Sequence, residues 1–165
     1  QESVYFEIIR QKTATLIAAC CACGANSATE DKKIVKQMHL FGEMAGIAFQ
    51  IKDDLFDYSH NPKIGKPTGI DIREQKMTLP LIYTLSISDK VQKKKIINTI
   101  KNHNNDSKKV TELIALVKES GGLNYAITKK NESHQRALTI LEKFEDCEAK
   151  TALKKMIDFV IHRKQ

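Results

Sequence analysis

Apolar side chains recur three and four residues apart from Val4 almost to the C-terminus, the period of an amphipathic helix, and no stretch alternates as a strand would. The spacing predicts a first helix over Ser3–Cys23, stopped by Gly24-Ala25-Asn26. Ser27-Ala28-Thr29-Glu30 has the spacing of a capping box and opens a second helix that runs to Tyr58. From Ser59 to Ile70 the turn formers His60-Asn61-Pro62, Gly65-Lys66-Pro67 and Thr68-Gly69 predict a loop. A short helix over Lys76–Ser86 follows, with Pro80 near its first turn. Further helices fit Asp89–Asn102, Ser107–Glu119, Leu123–Cys147 and Ala149–Arg163, separated by Asn104-Asn105-Asp106 and Ser120-Gly121-Gly122. The expected class is all-α, a helical bundle with one long loop. Helical periodicity is already running at Val4, so the start reads as the middle of something longer, and it carries no signal-peptide pattern.

One face of the second helix breaks the amphipathic rule. Gln50, Asp53, Asp54 and Asp57 fall within an arc of roughly 100° at about 100° per residue. Carboxylates held so close repel one another, by a few tenths of a kcal/mol for each like-charged pair. A solvated acidic face is one reading. Gly42, Gly46 and Phe49 continue the same side, however, where a solvated face would favour Lys and Glu. The other reading is a hard, oxygen-ligated cation such as Mg²⁺, completed by a phosphate.

Two further positions fit a metal–phosphate site. The loop and its flanks supply Lys66, Asp71 and Lys76, and such a mixture of carboxylates and ammonium groups suits a Mg²⁺–diphosphate. Taken singly, each Lys is an ordinary solvated residue. On the first helix, Val4, Ile8, Ile9, Leu16, Ala19, Cys20 and Cys23 form an apolar stripe with Lys12 near its middle. Lys12 either snorkels out of that stripe or aims an ammonium at an anion inside the bundle, with the Thr13 hydroxyl beside it.

Composition narrows the partners. Lys+Arg is 27 against 20 for Asp+Glu in 165 residues, a net charge of +7. The excess sits in clusters between Lys90 and Lys109 and near Lys154–Lys164. Aromatics are 6% and Trp is absent, and no nucleic-acid module signature appears, so solvated helix faces explain the charge better than nucleic acid does. Cys20, Cys21, Cys23 and Cys147 match neither a zinc site nor a disulfide framework and suit a reducing cytosol. His39, His60, His103, His134 and His162 lie in different segments without ligand spacing and read as surface or packing residues. No apolar run is long enough to span a bilayer.

These residues resemble a known family. Phe49-Gln50-Ile51-Lys52-Asp53-Asp54-Leu55-Phe56-Asp57 is similar to the second aspartate-rich motif of trans-isoprenyl diphosphate synthases. Ile64-Gly65-Lys66-Pro67, Gly69-Ile70-Asp71 and Lys76-Met77-Thr78-Leu79-Pro80-Leu81 resemble the family's downstream signature in order and spacing. Lys12-Thr13, with Tyr5 before and Leu16 and Gly24 after, resembles its upstream Lys-Thr helix, and Arg163 its ending. The resemblance covers residues 1–165 as the C-terminal portion of a single polyprenyl synthase domain whose N-terminal half is absent.

The resemblance implies an all-helical terpenoid-synthase bundle and a Mg²⁺-dependent, head-to-tail condensation of an allylic diphosphate with isopentenyl diphosphate. It assigns Asp53, Asp54 and Asp57 to Mg²⁺. Lys12, Thr13, Gln50, Lys66 and Lys76 go to the diphosphate, Phe49 lies near the isopentenyl site, and Asp71 supports the metal or lysine shell. Asp53, Asp54 and Lys66 carry the catalytic assignment. The Thr78-Leu79-Pro80-Leu81 form resembles the long-chain class, octaprenyl or heptaprenyl synthases. A homodimeric full-length parent in the cytoplasm is also implied, with peripheral membrane contact through the product and no role for nucleic acid. The family's first aspartate-rich motif has no counterpart here, so the isolated chain is expected to be inactive. The competing expectation is a non-catalytic binding or regulatory subunit that pairs with a catalytic partner.

Overall fold

The computed structural model describes residues 1–59 and 68–162. Lys66, with most of the expected loop, and Arg163 lie outside the described residues. Among those described there is no strand, as expected, and the helices are α1 (Glu2–Ile9), a π-helical turn (Arg10–Ala14), α2 (Thr15–Asn26), α3 (Lys32–Phe56), α4 (Ile70–Arg73), α5 (Leu79–Ile87), α6 (Lys90–Asn102), α7 (Ser107–Glu119), α8 (Gly122–Leu141) and α9 (Glu148–His162).

Several ends differ from the expectation. Gly24 does not stop the first helical run, which continues to Asn26. Ser27 is the C-cap of α2, its hydroxyl donating to the Gly24 carbonyl at 2.8 Å, and not the N-cap of the next helix. That task falls to Asp31, whose carboxylate accepts the Lys33 N–H at 2.8 Å. Two acidic caps start helices elsewhere: Asp89 accepts from Gln92 N–H, and Asp106 from Lys108 and Lys109 N–H. Pro80 lies in the first turn of α5, where its missing N–H costs no helical bond. The chain leaves α8 at Leu141, six residues before the expected end at Cys147.

The larger surprise is the π turn. The buried residues of the first helical run are Tyr5, Ile9, Ala14 and Ala18, a spacing of four, five and four. The extra residue moves the apolar register. Of the expected stripe only Ile9 is core, whereas Val4, Ile8 and Leu16 are 52, 56 and 70% exposed. Lys12 is exposed with them, the outward alternative of its two readings.

The chain forms two compact units. The first comprises Gln1–Tyr5 and Asp53–Thr128. Its core joins Tyr58, Ile72, Leu81, Ile96, Ile100, Val110, Leu113, Ile114 and Val117, and α7 packs on both α5 and α6. Gly69 enters α4 with φ +80°, and a Cβ there would meet Val110 Cγ1 at 2.7 Å. Only glycine meets both demands cheaply. The second unit comprises Phe6–Lys52 and Lys129–Lys164, around Phe41, Ala48, Ala137, Leu141, Ile157 and Ile161. Among the described residues no helix is long and apolar enough to cross a membrane.

Candidate active site

In the second unit, the π turn and α3 meet backbone to backbone. A Cβ on Gly46 would stand 2.6 Å from Ala14 Cα, and one on Gly42 2.8 Å from Ala18 Cα. Glycine facing alanine is what permits that approach. It brings the Thr13 hydroxyl within 3.0 Å of Gln50 Oε1, to which it donates. Gln50 is only 6% exposed. The π turn makes this contact available, since Thr13 sits inside the inserted turn while Ala14 takes the buried position. Insertions of this kind are often found at functional sites. Lys12, the other member of the pair, is exposed and makes no ion pair with a described residue. Phe49 is half-buried.

In the first unit, the carboxylates have unequal surroundings. Asp53 is exposed and makes no hydrogen bond or ion pair with a described residue. Asp54 Oδ2 accepts from the buried Tyr5 hydroxyl at 2.7 Å. Burial, then the Asp54 charge, raises the Tyr5 phenol far above its ordinary range, so at any working pH it is a donor. Asp57 accepts the backbone N–H of Ile70 at 2.8 Å on Oδ1 and of Asp71 at 3.1 Å on Oδ2. Its own carbonyl accepts the Gly69 N–H at 3.0 Å. Asp57 therefore ties the end of α3 to the start of α4. Burial raises its pKa and the Asp71 charge adds to that, against the backbone N–H groups, which pull it down.

Lys76 pairs with Glu74 at 2.5 Å and with Asp71 Oδ1 at 3.3 Å. Its side chain is 52% exposed, and the Glu74 contact, with Asp71 behind it, raises its pKa. Asp71 thus stands against the Lys76 ammonium. Glu74 was missed because an exposed Glu two residues from a Lys carries no signal by spacing. Tyr5 was missed for the opposite reason: a buried aromatic on an apolar face looks like packing alone, and its hydroxyl bond spans 49 positions in sequence. Tyr58, immediately after Asp57, is likewise buried and its hydroxyl lies 2.5 Å from Thr78 Oγ1.

Three carboxylates at positions three, four and seven beyond a buried amide lie on one helix of a chain whose described residues form helices and no strand, which places the protein in the all-helical class. The comparisons make the class specific. The Polyprenyl synthetase family model matches residues 1–117, and the chain belongs to that family. The Short chain isoprenyl diphosphate synthase of Methanothermobacter thermautotrophicus is 34% identical over 163 residues, covering 98% of this chain and 50% of that protein. The geranylgeranyl pyrophosphate synthase of Bacteroides thetaiotaomicron superposes with a TM-score of 0.90 at 37% identity, covering 99% of this chain and 54% of that one. The polyprenyl synthase of Caulobacter crescentus, solved in complex with calcium and isoprenyl diphosphate, gives a TM-score of 0.89 at 30% identity, with 100% and 51% covered. The fold is the all-helical terpenoid-synthase fold. The chain spans about half the length of the relatives it matches.

Proposed function

We propose that this chain supplies the second aspartate-rich cluster of a Mg²⁺-dependent prenyltransferase that condenses an allylic diphosphate with isopentenyl diphosphate into a polyprenyl diphosphate. The observation that carries the reading is Asp53, an exposed carboxylate without a partner among the described residues, on one helix with Asp54 and Asp57. The donor set suits a hard divalent cation, being all oxygen. Each carboxylate oxygen has two lone pairs, so the hydrogen bonds to Tyr5 and to the α4 backbone do not bar metal ligation. Bound there, Mg²⁺ would neutralise charge on a diphosphate as it leaves an allylic carbon.

The chain's own residues have separable roles. Asp53 and Asp54 would hold the metal, and Asp57 would do so while fixed by two N–H donors. Thr13 orients Gln50, and the Thr13–Gln50 pair would meet the diphosphate together with Lys12. Lys66 and Lys76 would neutralise the remaining phosphate oxygens, with Asp71 and Glu74 setting where the Lys76 ammonium stands. Phe49 would border the isopentenyl chain.

The test is calorimetry with inorganic pyrophosphate. Binding should require Mg²⁺, and Asp53→Ala should weaken it at least about tenfold, the scale of losing a metal ligand or its support. Equal affinity with and without Mg²⁺, or in the variant, would remove the metal role and leave the acidic face as a solvated one.

A further inference from the structure

Two histidines read as unrelated in the sequence meet an aspartate in the second unit. His134 projects from α8; Asp158 and His162 stand one turn apart on α9. One ligand atom from each lies within 4.8 Å of the others. This is the kind of grouping that ligand spacing along the chain cannot reveal, because two helices contribute. None of the three belongs to the diphosphate site proposed above.

His134 supplies the independent observation. It is 8% exposed, and its buried Nε2 has no aligned hydrogen-bond partner among the described residues. Asp158 Oδ1 stands only 2.7 Å from that nitrogen, close in distance but not directed as a hydrogen bond. A buried imidazole nitrogen that has shed its water and gained no aligned partner is poorly explained by packing alone. The His162 ring meets the His134 ring edge-on, with centroids 5.2 Å apart at 79°. Its Nδ1 lies 3.0 Å from the Asp158 carbonyl oxygen. In the tautomer that donates there, the other ring nitrogen keeps a lone pair for a ligand. A metal-bound imidazole commonly has its second nitrogen held in this way.

We propose that His134, Asp158 and His162 form a Zn²⁺ site that clips α9 to α8. Two imidazoles and one carboxylate are a donor set for a borderline transition ion, with a fourth position left to water. Mg²⁺ prefers oxygen and keeps its waters, so it does not compete. In a tetrahedral site with bonds of about 2.0–2.2 Å the donor atoms stand roughly 3.3 Å apart, so the cluster must contract somewhat on binding. Asp158 is 51% exposed and His162 is exposed, which leaves both side chains room to do so around the fixed His134.

The experiment is Zn²⁺ titration of the purified, untagged protein by calorimetry in excess Mg²⁺. Alkylation first removes the exposed thiols of Cys20, Cys23 and Cys147 from competition. Co²⁺ serves as the spectroscopic probe. The expected result is one Zn²⁺ per chain, the intense visible bands of four-coordinate Co²⁺, and a higher melting temperature with Zn²⁺. His162→Ala and Asp158→Asn, both at exposed positions, should each weaken Zn²⁺ binding at least about tenfold while far-UV circular dichroism stays unchanged. Wild-type affinity in His162→Ala, only the pale spectrum of six-coordinate Co²⁺, or no Zn²⁺ binding by the wild type would overturn the site. The cluster would then be a buried imidazole beside a carboxylate and nothing more.

Discussion

Thr13 and Lys12 are neighbours in sequence with opposite physics. Thr13 donates to a buried amide, whereas Lys12 is exposed. Thr13→Val should cost about 1 kcal/mol of stability, the net worth of a hydrogen bond to a group that stays buried. Lys12→Ala should change stability by less than about 0.5 kcal/mol, as exposed substitutions do, yet weaken Mg²⁺–pyrophosphate binding. Urea denaturation and calorimetry on the two variants separate the roles; a Lys12→Ala chain with wild-type affinity would remove that lysine from the site. Lys130 makes a different residue-scale case. It is 7% exposed, and its pKa is lowered, first by burial and then by the Lys52 charge. A base with a lowered folded pKa destabilises the fold below that pKa, and the penalty fades as pH rises towards the unfolded value. Lys130→Met should therefore stabilise the protein near neutral pH, with the gain shrinking in strong alkali. Thermal melts across pH check both the sign and the slope.

At the scale of elements, Gly46 and Gly24 make a matched pair. A Cβ at Gly46 would drive into the Ala14 backbone at 2.6 Å, whereas one at Gly24 meets nothing within 4 Å. Gly46→Ala should cost about 1–3 kcal/mol through forced separation of α3 from the π turn. Gly24→Ala, inside α2, should add about 0.5–1 kcal/mol. Denaturant midpoints of the two variants moving in the same direction would contradict this packing. The helices themselves were legible because the apolar period persists through α3, α6 and α7. Their ends were less so. Ser27 and Asp31 both offer a capping oxygen, and the choice between them depends on where α2 lets go. The π turn was not legible, since one inserted residue leaves every local propensity unchanged. Reading the first helical run at a strict period placed Val4, Ile8 and Leu16 inside and so mistook an exposed stripe for core. The acidic face of α3 was legible because four polar residues on one side contradict amphipathicity. Tyr5, Glu74 and the histidine pair were not, because their partners come from sequence-distant turns or from unremarkable exposed positions.

For the molecule as a whole, the exposed stripe has a consequence in solution. Ile8 and Leu16 are more than half exposed, and Phe159 and Met156 on α9 are 70 and 55% exposed. Apolar surface gathered along one helix run favours association. The purified chain should sediment as a concentration-dependent oligomer, and Ile8→Lys with Leu16→Lys should shift it towards monomer. A wild-type chain that sediments as a monomer across a wide concentration range would count against the stripe as a contact surface. The basic clusters should matter less here, because added salt screens charge but strengthens apolar contact.

An α-helix is a screw, and the π turn at Arg10–Ala14 is a slipped thread. Each residue advances the screw by about 1.5 Å and about 100°. Removing one residue from that turn would restore a regular helix and rotate everything on one side of it relative to the other. Either Tyr5 and Ile9 or Ala14 and Ala18 would then leave their seats, although the composition would barely change. A deletion of Gln11 should therefore be far more damaging than Gln11→Ala at the same exposed position. At Gln11, length and not side-chain identity is what the chain has to keep.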